Sequence, residues 1–127
     1  MTTDGSDKLA LRIASLVTAT NVIVACGFSI AGLVSPSAIL PSGSSPTVAS
    51  QIFAMYAAAR TVTLALITLS TLGRRSWILP LGTLAGLVQL LDAGVGLFQH
   101  DVGKTIGPLL LAILQLLAIL NLSRTTK

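Results

Sequence analysis

Long apolar stretches in this chain alternate with short polar segments. Positions 13–59, 76–91 and 105–123 contain no Asp, Glu, Lys or Arg. A membrane-spanning helix needs about 20 mainly apolar residues, and each stretch supplies most or all of at least one such segment. The first stretch is interrupted at 35–47 by a segment rich in serine and proline, which breaks any helix. The pattern therefore predicts four apolar segments that are long enough to cross a membrane.

The segments are predicted to form helices, since the alternative of a transmembrane barrel fails. Barrel strands alternate apolar and polar positions, whereas Leu109–Leu120 is apolar on every face except at Gln115. Backbone groups within lipid must be satisfied inside their own segment, which a helix achieves. The sequence thus predicts an all-α fold, a four-helix transmembrane bundle that forms one domain over residues 1–127. The predicted bounds are about 13–34, 48–72, 77–98 and 105–122 for the helices, and 1–8 and 123–127 for two polar tails.

Composition supports a membrane protein and excludes several other classes. The chain is 53% hydrophobic and only 9% charged, with a mean hydropathy of +0.88. Soluble domains carry about 25% charged residues, and disordered chains or coiled coils need many charges as well. The net charge is +4, but the basic residues are few and dispersed and aromatic residues are scarce, so nucleic-acid binding is not expected. We expect a multi-pass protein of the cell membrane, with the lipid bilayer as its partner.

The basic residues that flank the segments predict how the chain is oriented. All but one would lie on the same side of the membrane: Lys8, Arg12, Arg74, Arg75, Arg124 and Lys127. The opposite side has only Lys104. Because cytoplasmic loops carry an excess of Lys and Arg, both termini are predicted to be cytoplasmic.

Two formal charges fall well inside the predicted helices, Arg60 in the second and Asp92 in the third. Each costs at least about 2.5 kcal/mol within the bilayer, so such residues usually pair with one another. Counted along the helices at about 1.5 Å per residue, the two depths differ by about 7–9 Å, which both side chains together can bridge if Arg60 points toward the non-cytoplasmic side. The sequence predicts a pair and leaves open whether it is structural or functional.

Every predicted helix also contributes a neutral polar residue: Asn21, Tyr56, Gln89 and Gln115. Such residues either hydrogen-bond between helices or form the polar part of a binding site, and the sequence leaves both interpretations open. We expect the polar residues to surround a site that opens toward the non-cytoplasmic side, with the segment 35–47 as a lid.

The segment Gln99–Lys104 contains the densest cluster of titratable residues, including His100 and Asp101. A histidine there can change its charge near neutral pH. One histidine and one cysteine, Cys26, do not supply the ligands of a zinc site, and we expect neither a metal nor a cofactor.

The order of these residues resembles the DoxX-like group of small four-helix membrane proteins. The matching features are a glycine-rich first helix that ends at a proline, at 27–36, the pair Ala59-Arg60, Asp92 in the third helix and His100 after it. The resemblance implies an integral membrane protein, in some relatives a partner of quinone-linked redox enzymes. With a single cysteine, the chain departs from any relative that uses a cysteine pair for thiol redox chemistry.

Three functions are compatible with these residues. The first is the binding of a quinone- or isoprenoid-like molecule, or a role as an accessory subunit of a homo-oligomer or of a partner membrane protein. For the binding function, Arg60 would donate a hydrogen bond to an oxygen of the head group, and Asp92 would orient and neutralise Arg60. The ligand-binding set is Arg60, Asp92, Gln89, Tyr56, Gln115 and Asn21.

The second function is an enzyme that carries out acid/base chemistry on a lipophilic substrate. Asp92 or Asp101 would be its base, Arg60 its electrophilic stabiliser and His100 its proton shuttle. The third is a small proton-coupled transporter, which this chain fits less well because its first helix has no intramembrane carboxylate.

Overall fold

A computed structural model describes residues 3–125 of the chain, with side-chain surroundings for residues 5–125. Within that range the chain is all-α, and each of its four long helices is long and apolar enough to cross a membrane. This confirms the predicted four-helix fold. The helices are α1 (Thr3–Val34), α2 (Val48–Ser70), α3 (Arg75–Phe98) and α4 (Val102–Arg124), with a short 3-10 helix at Pro36–Ala38.

The helices pack unevenly around α1. The closest pair is α3 with α4, and α1 contacts all three other helices. By contrast, α2 packs mainly on α1, barely touches α3 and does not reach α4. The bundle therefore has a cleft between α2 and α3, and α1 forms its floor.

Glycines on α3 explain why α3 and α4 approach so closely. Gly82, Gly86 and Gly96 are buried against α4. A Cβ atom on Gly86 would lie 2.8 Å from Cδ2 of Leu116, and one on Gly96 would lie 2.6 Å from the backbone nitrogen of Thr105. Small residues let helix backbones approach in this way, and here they serve packing within one chain.

One end of the bundle, which we call the basic end, holds the start of α1, the α2–α3 turn and the end of α4. The guanidinium of Arg75 joins these elements, since it donates to the carbonyl of Leu122, donates to Oγ1 of Thr125 over 3.3 Å and lies 3.9 Å from Oδ1 of Asp7. Both ends of the described chain are thus at the basic end, as four crossings require.

The first helix is longer than predicted. It begins at Thr3 instead of near position 13, so residues 3–8 of the predicted polar tail are helical. Ala10 and Ala14 are buried in one cluster with residues of α3 and α4, including Leu122. This packing extends α1 past its apolar stretch, and hydropathy alone does not register it.

The other helix bounds differ from the prediction by a few residues. The second helix ends at Ser70, α3 begins at Arg75, and α4 covers Val102–Arg124. The earlier start of α4 has a local cause, because Oδ1 of Asp101 accepts from the backbone N–H of Lys104 over 3.1 Å and caps the helix. The predicted polar loop therefore shrinks to three residues.

The opposite end, which we call the loop end, is tied together by Lys104. Its Nζ donates to the carbonyls of Ile39 and Leu40 over 3.0 and 3.3 Å, and to Oε1 of Gln99 over 3.2 Å. The middle of the segment 35–47, which was predicted to be a lid, is thus held against the start of α4.

Candidate functional site

Four buried polar side chains form a chain of hydrogen bonds at mid-depth in the bundle. Nε2 of Gln89 donates to Oδ1 of Asn21 over 2.7 Å, and Nδ2 of Asn21 donates to Oε1 of Gln115 over 3.3 Å. Nε2 of Gln115 donates in turn to Oγ1 of Thr18 over 2.8 Å. These bonds join α1, α3 and α4, so Asn21 and Gln115 take the interhelical role that was one of their two interpretations.

Thr18 was not among the predicted site residues, although the sequence contains a signal for it. It precedes Asn21 by three positions on α1, so both side chains lie on one helix face. A hydroxyl at that spacing can accept from a neighbouring amide, but a threonine inside an apolar helix usually bonds its own backbone instead. Only the position of α4 shows which of the two occurs.

A cavity of about 260 Å³ lies beside this network, between α1, α2 and α3. Its walls are mostly apolar, and its polar lining consists of Asn21, Arg60, Thr61 and Gln89. Arg60 and its neighbour Ala57 are exposed at the edge of the cavity. Because α2 and α3 barely touch, we infer that the cavity is open at its side, between these two helices.

The cation at this cavity is held by an aromatic ring and by no carboxylate of the described chain. Cζ of Arg60 lies 5.8 Å from the ring centroid of Tyr56, within the range of a cation–π contact. Tyr56 itself is 59% exposed and faces outward. Among residues 5–125, Arg60 takes part in no ion pair and no side-chain hydrogen bond, so its five N–H donors remain available.

Asp92 lies away from Arg60, and in the described part of the chain the two form no ion pair. Asp92 is exposed on α3, one helical turn beyond Val88 and Gln89 toward the loop end, and it does not line the cavity. The predicted pair thus does not form within this chain. The reason is the cleft, because α2 leans on α1 and leaves the facing sides of α2 and α3 apart.

Of the six predicted ligand-binding residues, the structure brings three to the cavity: Arg60, Gln89 and Asn21. Gln115 is fully buried and points toward α1, where Thr18 and Asn21 occupy its amide. The cavity is lined only by residues of α1, α2 and α3, and by none of the segments 35–47 and 99–104. The structure thus has a cavity at mid-depth in place of the expected site beneath a lid.

His100 and Asp101 lie at the loop end and shape the turn between α3 and α4. His100 has a φ of 55°, and the backbone N–H groups of His100 and Asp101 donate to the carbonyls of Leu97 and Gly96 over 3.0 and 3.1 Å. This is the pattern that closes a helix with a left-handed residue. The backbone N–H of Lys104, which bonds the carboxylate, and the nearby Lys104 ammonium lower the pKa of Asp101.

The four residues of the predicted enzyme are not assembled into one site. No hydrogen bond or ion pair joins Arg60, Asp92, His100 and Asp101 in the part of the chain that the structure describes. Along α3, Asp92 is about 12 Å from the position of His100. In residues 5–125, no three His, Cys, Asp or Glu side chains gather as a metal site requires.

In comparisons with known proteins, no family model, no curated protein and no solved structure matches this chain. The resemblance to the DoxX-like group therefore stays a prediction based on the residues that suggested it.

Proposed function

We propose that this multi-pass membrane protein binds the oxygen-bearing head group of a lipophilic small molecule, of the quinone or isoprenoid kind, in the cavity between α1, α2 and α3. The observation that carries the proposal is the position of Arg60. Its guanidinium lines a cavity at the middle of α2, and no carboxylate of the described chain neutralises it.

An unneutralised arginine at this depth is expensive, by at least about 2.5 kcal/mol. A ligand oxygen that accepts from the guanidinium would offset part of that cost, because hydrogen bonds to charged groups are about twice as strong as neutral ones. Gln89 and Asn21 lie behind this position and already bond each other. They would therefore limit how deep a head group can enter, and Arg60 would supply the attraction.

The size of the cavity favours a head group with a tail that stays outside. Pockets that enclose a whole drug-sized ligand measure about 300–1,000 Å³, and this cavity of about 260 Å³ falls short of that range. Its side opening between α2 and α3 lets an apolar tail extend into the bilayer. Such a ligand can enter from the membrane without crossing water. We also propose that both termini lie in the cytoplasm and that the chain belongs to the DoxX-like group.

The test is native mass spectrometry of the purified protein together with an organic extract of its bound lipophiles. Arg60→Gln should lose the retained molecule, because Gln is polar but lacks the positive charge and the forked guanidinium donors. Asp92→Asn is the matched control, since it also removes an intramembrane charge but does not line the cavity. Ala57→Leu should also reduce retention by filling the cavity, whereas Ala59→Leu, on the exposed face of α2, should not. Equal retention in Arg60→Gln and the wild type would refute the proposal.

A specific observation supports the accessory-subunit alternative. Asp92 is an exposed carboxylate within a span, and it forms no ion pair among the described residues. A basic residue of a second membrane segment would relieve its cost. Subunit counting by native mass spectrometry tests a homo-oligomer of this kind: Asp92→Asn should lower the subunit number, and an unchanged monomer in both proteins would contradict it.

A further inference from the structure

A second, larger concavity lies at the basic end, in a different part of the molecule from the cavity at Arg60. This groove has a volume of about 450 Å³ and runs between α1 and the α2–α3 turn. Its lining includes Lys8, Arg12, Ser15, Leu16, Ala19 and Gly73. We call it the basic-end groove.

The groove changes in polarity along its length. Lys8 and Arg12 lie at the end of the groove farthest from the membrane centre, and Leu16 and Ala19 lie at its inner end. From Lys8 to Ala19 the helix rises about 16 Å. The backbone N–H of Gly73 donates to Oγ of Ser15 over 3.1 Å, which places Ser15 level with the turn that closes α2 and α3. Arg12 therefore lies one helical turn beyond that level, away from the middle of α1.

The cations at the basic end are not equivalent. Arg75 is engaged, because it bonds α4 at Leu122 and Thr125 and faces Asp7. Arg12 is exposed, lines the groove and has no ion pair with any residue in 5–125. Its charge is thus presented to the groove, above an apolar wall.

We propose that the basic-end groove binds an anionic phospholipid, with the lipid phosphate on Arg12 and part of an acyl chain over Leu16 and Ala19. An open groove with cations at its polar end and apolar residues at its membrane end matches the shape and polarity of such a lipid. Basic pockets between helices at the membrane surface recognise anionic head groups, and a nearby cation contributes about fivefold in binding. The groove shares no residue with the Arg60 cavity, so this site stands or falls independently of the proposed function.

Charge-removal variants test the head-group contact. The full-length protein is purified in detergent, supplied with equal amounts of phosphatidylglycerol and phosphatidylcholine, and its bound lipids are counted by native mass spectrometry. Arg12→Gln should lower the preference for phosphatidylglycerol about fivefold, and Arg12→Lys should keep it. Arg124→Gln is the matched control, because it removes an exposed charge from the same end without lining the groove. Equal losses in Arg12→Gln and Arg124→Gln would overturn the proposal, since they would reflect net charge alone.

Groove-filling variants test the acyl-chain contact with every charge retained. Ala19→Phe should reduce lipid retention by occupying the inner end of the groove, whereas Thr20→Phe, on the adjacent exposed position of α1, should leave retention unchanged. Retention of phosphatidylglycerol by Ala19→Phe at the wild-type level would also overturn the proposal.

Discussion

Nε2 of Gln89 donates to Oδ1 of Asn21 over 2.7 Å, and this bond ties α3 to α1 at the inner wall of the cavity that Arg60 lines. The bond separates two roles that look alike in the sequence. The amides of Gln89 and Asn21 form hydrogen bonds that hold helices together. The N–H donors of the Arg60 guanidinium remain available to bind a group outside the described chain.

The first prediction concerns the buried amide network. Asn21→Ala should destabilise the bundle by about 1–3 kcal/mol, because it leaves buried polar groups of Gln89 and Gln115 without partners. Thermal unfolding in detergent measures the loss. Thr20→Ala, at the next and exposed position, is the control and should stay within about 0.5 kcal/mol of the wild type. A loss in Asn21→Ala as small as in Thr20→Ala would show that the network contributes nothing to stability.

The second prediction compares two glycines of α3 that the sequence does not distinguish. Gly96→Ala should be strongly destabilising, because its Cβ atom would overlap the backbone of Lys104 and lie 2.6 Å from the nitrogen of Thr105. Overpacking of a close helix contact costs about 1–3 kcal/mol or more. Gly94→Ala meets nothing within 4 Å and should stabilise the helix by up to about 1 kcal/mol. Opposite shifts of the unfolding midpoint are expected, and shifts of the same sign would contradict the packing of α3 on α4.

The third prediction concerns the left-handed residue that ends α3. His100 has a φ of 55°, and a left-handed conformation costs a residue with a Cβ atom about 1–2 kcal/mol. His100→Gly should therefore raise the unfolding midpoint. Gln99→Gly is the control, since Gln99 has a φ of −77° that any residue adopts, and this change should not stabilise the protein. If His100→Gly lowers the midpoint, the imidazole has a role that the turn geometry does not show.

The fourth prediction is a pH dependence at the same turn. The N–H of Lys104 and its ammonium favour the charged carboxylate, so the pKa of Asp101 in the folded protein is below its ordinary value of 3.8. A group with a lowered pKa adds stability above its ordinary pKa, and this stability is lost as the pH falls through the folded value. The midpoint temperature of unfolding should therefore decrease as the pH is lowered below about 4. Asp101→Asn should lose less stability than the wild type over that interval, and an identical decline in both would assign the acid sensitivity elsewhere.

The fifth prediction follows from the separation of the two intramembrane charges. Arg60 and Asp92 form no ion pair in the described chain, and residues that do not interact have additive effects within about 0.5 kcal/mol. A double-mutant cycle with Arg60→Met and Asp92→Leu should show additivity in the monomer. A coupling clearly above that limit would mean that the two residues meet directly or through a second molecule.

The number and approximate position of the helices could be predicted from the sequence, because the hydrocarbon core imposes a minimum apolar length on every crossing. The uncharged runs at 13–59, 76–91 and 105–123 report that requirement directly. The exact ends of the helices could not be predicted from hydropathy. The early start of α1 depends on Ala10 packing against α3 and α4, and the early start of α4 depends on the Asp101 cap.

The candidate site could be predicted from the sequence only in part. The polar residues within the spans, and their approximate depth, could be predicted from the sequence, since depth follows from position along a helix. Their partners depend on the tertiary structure, because the face that each helix presents depends on how its neighbours pack. The packing of α1 on α4 brings Gln115 to Asn21, and the packing of α2 on α1 instead of α3 keeps Arg60 apart from Asp92. Position along a helix is a local property of the chain, whereas the facing of two side chains is a property of the whole bundle.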